Sequence, residues 1–98
     1  MRKRTRVTHL PEVTLAPDNR PLVAPIYQSV KFTFDDVGET QKYWTRQRDG
    51  FYYSRVSNPT LRQLELVLAE LQGREAGLLT GSGVAAISMT LLALLQAG

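Results

Sequence analysis

Residues 78–87 read Leu-Leu-Thr-Gly-Ser-Gly-Val-Ala-Ala-Ile, "LLTGSGVAAI". Two patterns meet inside this stretch. Residues 75–80, "EAGLLT", are short and mainly apolar, which predicts a buried strand. From Val84 to Gln96 the chain is apolar on nearly every face, with Ser88, Thr90 and Gln96 as exceptions, which predicts a helix destined for the inside of a larger protein. Gly81, Ser82 and Gly83 supply the turn between them. Strand, glycine turn and helix in that order point to the α/β class. The turn has two readings. It is a tight connection and no more, or it is a phosphate seat. In the second case the free N–H groups and dipole of the helix start attract an anion, the glycines let it approach the backbone, and Ser82 caps or donates. It is not a P-loop, since the Gly-Lys-Ser/Thr end is missing. Nor is it a G-x-G-x-x-G loop, since Ala86 stands where the third glycine of a pattern starting at Gly81 belongs.

Upstream, Asn58 suits an N-cap and Pro59 the first helical position. Leu61, Leu64, Leu68 and Leu71 then recur at helical spacing, and Gly73 supplies a left-handed stop. An amphipathic helix over 59–72 follows. Before it stands "FYYSRVSNPT", residues 51–60. Large rings left in water forgo favourable burial, so Phe51, Tyr52 and Tyr53 together imply something to touch. Tyr53 and Arg55 lie two apart, which in an extended chain puts both on one face, where a phenol and a guanidinium grip a phosphate. The alternative is a tyrosine packed on an edge beside a salt-bridged arginine.

Further back, Pro11, Pro17, Pro21 and Pro25 deny residues 1–25 a long helix or a central strand, so the segment is expected to be an extended arm. Val30, Phe32 and Phe34 alternate with polar residues as in a half-buried extended stretch. Residues 35–50 read as a polar loop with one helical turn around "VGETQKYW".

Composition narrows the function classes. The 98 residues carry a net charge of +3, much of it from "MRKRTR" at the start, and no basic stripe continues along a helix. The expectation is a solvated end and no nucleic-acid partner. Without cysteine, and with His9 as the single histidine, there is neither a disulfide framework nor a thiolate or histidine-cluster metal site. No apolar signal region follows the basic start, and Val84 to Ala97 is too short to span a bilayer, so the expected setting is cytoplasmic with no membrane partner.

In their order, "APIYQSVKFTF", "YYSRVSNPT", the helix ending "LAELQG" and "LLTGSGVAAI" resemble the N-terminal region of the Cys/Met-metabolism family of pyridoxal-phosphate enzymes, which includes cystathionine gamma-synthase, the cystathionine lyases and methionine gamma-lyase. The resemblance spans roughly residues 20–98. It implies an extended arm over 1–57 and, over 58–98, the first helix-strand-helix elements of a fold-type I large domain. It implies that Tyr53 and Arg55 bind the cofactor phosphate of a neighbouring subunit. Ser82, Gly83 and Val84 would hold the phosphate of the chain's own pyridoxal 5'-phosphate, with Val84 replacing the family's usual Met at a backbone-donor position. It further implies a homotetramer built as a dimer of dimers and a small sulfur amino-acid substrate undergoing β/γ-elimination or γ-replacement. The family's cofactor-linked lysine, its pyridine-nitrogen aspartate and its substrate-binding arginine have no counterpart here; Lys31 and Lys42 lack the lysine's context. No catalytic residue is therefore assigned, and the segment alone is expected to be inactive. The competing expectation is a non-catalytic truncated module whose apolar helix and arm associate with a partner chain.

Overall fold

Asp36, Asn58 and Ser82 each start a helix in the same way. All three have extended backbone, and each turns a side-chain oxygen onto an N–H of the first helical turn: Glu39 for Asp36, Thr60 for Asn58 and Ala85 for Ser82. The computed structural model, which describes Thr5 and residues 9–98, accordingly holds α1 (Val37–Trp44), α2 (Pro59–Leu71) and α3 (Gly83–Leu94) among its described residues. Apart from Thr5, the basic run at 1–6 lies outside the described residues.

The helix expected over 59–72 is α2, shorter by one residue because Gln72 forms the C-cap. Gly73 follows at φ +60, donating to the Glu70 carbonyl, while the Arg74 N–H reaches back to Ala69. α1 exceeds the single turn expected. It ends in the same reverse-bonded closure, with Arg46 N–H to Tyr43 and Gln47 N–H to Lys42, although here the left-handed position is held by Arg46 at φ 59. α3 stops at Leu94, ahead of the expected Gln96, where Leu95 turns extended.

The strand expected at 75–80 does not form. A strand needs a neighbour to exchange backbone hydrogen bonds with, and none lies beside it among the described residues. Its Leu79 N–H goes instead to the Glu65 carboxylate at 2.9 Å. The one β-type pairing described is a single antiparallel bridge between Lys31 and Tyr53, with Phe32 N–H donating to Tyr52 and Ser54 N–H to Val30. Phe32 and Phe34 are half-buried and Lys31 and Thr33 exposed, as the alternation predicts, whereas Val30 is exposed.

The centre of the molecule is aromatic. Phe34, Tyr43 and Tyr52 lie within 5.6–6.5 Å of one another, and Trp44 stands edge-on to Tyr52 at 5.0 Å. Phe51 meets Phe32 at 5.9 Å. Phe51 and Tyr52 are half-buried, and what they touch is rings of their own chain. α1 delivers Tyr43 and Trp44 onto Tyr52, and Phe32 covers Phe51.

Elsewhere there is little core. Among the described residues Ala69 and Asn58, at 7% and 6% exposure, are the buried ones, and no two of α1, α2 and α3 pack on one another. The radius of gyration is 18.3 Å, against about 13 Å for a compact domain of this length. The leucine face of α2 and most of α3 remain exposed.

Candidate functional site

Tyr53 ends the bridge to Lys31, and the chain turns at once: Val56 and Ser57 N–H both donate to the Tyr53 carbonyl, at 2.9 and 3.1 Å. The extended i, i+2 geometry expected of Tyr53 and Arg55 is therefore not what joins them. The turn brings the Arg55 guanidinium over the Tyr53 ring, 5.1 Å from its centroid, a cation–π contact. Beneath the pair lies an open cleft of about 320 Å³, lined also by Tyr27, Ser29, Ser54 and Asn58.

Asn58 is the node of this region, and sequence reading credited it only as a cap. Its Oδ1 accepts from Thr60 N–H, and its Nδ2 donates to the Tyr27 carbonyl at 2.9 Å and to Ser54 Oγ at 3.0 Å. Ser54 Oγ in turn donates to the Ser29 carbonyl, and Thr60 Oγ1 accepts the Tyr27 N–H. These bonds fix the Tyr53–Arg55 turn against residues 27–31. No carboxylate among the described residues pairs with Arg55, so its charge is available to an anion.

The glycine turn is the second half of the site. Ser82 Oγ accepts the Ala85 N–H at 3.1 Å, and Thr80 Oγ1 donates to the Ser82 carbonyl at 2.8 Å. Among the described residues no acceptor takes the N–H of Gly83 or Val84, the first two helical positions. A Cβ built on Gly81 or Gly83 would meet no atom within 4 Å, so the space beside these amides is open to a ligand. Two backbone donors, a hydroxyl and a helix N-terminus form a donor set suited to a phosphate. Neither glycine has a positive φ, so the turn does not depend on glycine for its backbone shape.

The two halves are not brought together. The cleft holding Tyr53 and Arg55 includes no residue of 81–84. One further ionic cluster was not foreseen: Glu39 pairs with Lys42 and Arg48, both at 2.7 Å. Hydrogen bonds from Lys42 and then Arg48 hold its carboxyl below the usual carboxylate range, and the Glu39 partner raises Lys42. The sequence signal was the i, i+3 spacing of Glu39 and Lys42. No helix among the described residues is long and apolar enough to cross a membrane.

Comparison with known proteins matches residues 7–98 to the family model described as Cys/Met metabolism PLP-dependent enzyme. An L-methionine gamma-lyase of Pseudomonas putida is 47% identical over 77 residues, covering 79% of this chain and 19% of that protein. A homocysteine/cysteine synthase of Kluyveromyces lactis is 34% identical over 90 residues, covering 92% of this chain and 20% of that protein. An O-acetyl-L-homoserine sulfhydrylase of Leptospira meyeri is 34% identical over 82 residues, covering 84% and 19%. The chain spans about a fifth of the length of these relatives.

Proposed function

The chain belongs to the Cys/Met-metabolism family of enzymes, whose cofactor is pyridoxal phosphate, and from that premise we propose that it serves as the N-terminal segment of a sulfur amino-acid lyase or transferase, supplying donors to the cofactor phosphate. The observation that carries this reading is the pair of unpaired amides at Gly83 and Val84 beside open space at the start of α3. Gly83 and Val84 N–H, with the Ser82 hydroxyl, hold the phosphate of the chain's own cofactor. Tyr53 and Arg55, fixed by Asn58 and Ser54, reach the phosphate of a neighbouring subunit in a dimer of dimers. Bound pyridoxal phosphate supplies an electron sink for breaking bonds at the β or γ carbon of the substrate. The residues of this chain bind and orient it; the lysine that links it and the groups that move protons belong to later parts of the enzyme, so the segment alone is inactive. In the same reading residues 1–57 are an arm and 58–98 open an α/β large domain, where 75–80 gains strand partners. The substrate is a small sulfur amino acid or homoserine ester, and the setting is cytoplasmic.

Arg55→Ala in the whole enzyme tests the assignment. Loss of one charge-assisted contact costs about 1.5–3 kcal/mol, or roughly 10- to 150-fold in cofactor affinity. Mixing Arg55→Ala subunits with subunits lacking the cofactor-linked lysine should restore one complete site per hybrid dimer. Verified hybrids without recovery would mean that Arg55 serves its own subunit. Unchanged cofactor retention in Arg55→Ala would leave the exposed apolar α3 as support for the alternative, a non-catalytic interaction module.

A further inference from the structure

Residues 75–98 are joined to the rest of the described chain by few bonds. Beyond the closure at Arg74, the only hydrogen bond that crosses among the described residues is Leu79 N–H to Glu65 Oε1, at 2.9 Å. The α2 side of this bond is a fixed point. The Glu65 side chain is only 14% exposed on a helix whose leucines face solvent, and its second oxygen lies 3.4 Å from Arg62 Nη1. The segment also touches α2 through backbone at the same residue. A Cβ on Gly77 would lie 2.9 Å from the Glu65 carbonyl oxygen and 3.8 Å from the Ala69 Cβ, so the close approach requires glycine. From Leu79 the connection runs on: Thr80 Oγ1 donates to the Ser82 carbonyl, and that carbonyl also accepts the Ala86 N–H at the start of α3.

Resting on the phosphate reading above, we infer that Glu65 is a positioning residue for the phosphate turn, its carboxylate seating Leu79 on α2 so that the Gly83 and Val84 amides face one direction. Glu65 does not touch the anion. It acts through the backbone, and only its acceptor oxygen is needed, not its charge. Gln at this position keeps the acceptor and loses the Arg62 ion pair; Leu keeps the bulk and loses both.

The test compares affinities for pyridoxal phosphate and for pyridoxal, which lacks the phosphate, in the whole enzyme. Misplaced amides weaken only the phosphate-bearing form, whereas general destabilisation weakens both. Glu65→Leu should lower the ratio of the two affinities about tenfold, the scale of a single hydrogen bond, and Glu65→Gln should restore it. Far-ultraviolet circular dichroism checks that α2 persists. An unchanged ratio in Glu65→Leu, or equal loss of both forms, overturns the inference. Ser82→Asp separates it from the reading beneath it, because Asp still caps α3 but sets a carboxylate against the phosphate. If Ser82→Asp leaves the ratio unchanged, the phosphate turn itself falls, and this inference with it. If Ser82→Asp lowers the ratio and Glu65→Leu does not, only the role of Glu65 falls.

Discussion

α2 and α3 are almost equal in length, at 13 and 12 residues, and each begins at a well-formed side-chain cap. They differ in everything else. α2 closes on Gly73 and Arg74, buries Ala69, and is tied at its start to Tyr27 and at Glu65 to Leu79. α3 is far more apolar in composition, yet none of its residues is buried, and it closes with a single Leu95-to-Leu91 bond. Local capping chemistry forms a helix in both cases; it does not decide whether the helix is covered. Cover comes from chain that lies far away in sequence.

The largest test of this contrast reverses sign with context. Ile87 is 63% exposed here, so Ile87→Asp should make the 98-residue chain less prone to self-association, read by sedimentation across a concentration series. In the whole enzyme, where we propose that α3 is covered, the same substitution buries an unpaired charge at a cost of several kcal/mol and should abolish soluble yield. Equal behaviour in both settings would break the comparison. Next in size is Asn58→Ala, which removes the α2 cap and orphans bonds to Tyr27 and Ser54, for a loss of about 2 kcal/mol in thermal or denaturant unfolding.

The two left-handed helix ends give a matched pair of smaller effects. Gly73→Ala should destabilise, and Arg46→Gly should stabilise, each by about 1 kcal/mol, because the same φ is free for glycine and strained for other residues. The expected shifts in melting temperature are therefore opposite in direction.

The smallest effect is electrostatic. Glu39 has its carboxyl held low by Lys42 and Arg48, so it stabilises α1 above the unfolded carboxylate pKa near 4.5 and loses that contribution as pH falls through its lower folded value. Lys42 and Arg48 are exposed and Glu39 is half-buried, so salt should weaken the cluster. Trp44, the only tryptophan, sits in α1 against Tyr52 and reports the change by fluorescence. The acid transition should be visible at low salt and absent in Glu39→Gln.

What was legible in the sequence follows the same division. α2 was readable to within a residue because its determinants, Asn58, Pro59, the leucine spacing and Gly73, all act within a few positions. α1 was under-read because Asp36 and Glu39 were passed over as loop polarity, and with it went Tyr43 and Trp44 as partners of Tyr52. The 75–80 segment was read as a strand from its apolar character, but pairing is a property of neighbours that no local pattern contains. At the candidate site, the glycine turn and the helix that follows it were legible locally, whereas the donor roles of Ser82, Gly83 and Val84 came from the family resemblance and stand as part of the proposal. The stacking of Arg55 on Tyr53 was not, because it depends on a turn that begins at Tyr53 itself.

The bonds from Asn58 and Thr60 to Tyr27 close a loop of some thirty residues, with separations of 31 and 33. Such a closure must find its ends by diffusion, but its entropic cost rises slowly, by only about 0.6 kcal/mol for each doubling of loop length. α1 lies inside the loop and shortens the flexible path when it forms first. The exposed turn at 45–49 lies within this loop, held by the Arg46 and Gln47 bonds that close α1 and by the Arg48–Glu39 pair. A stretch inserted there lengthens the tether and costs those local bonds, but it leaves the knot at Asn58 in place.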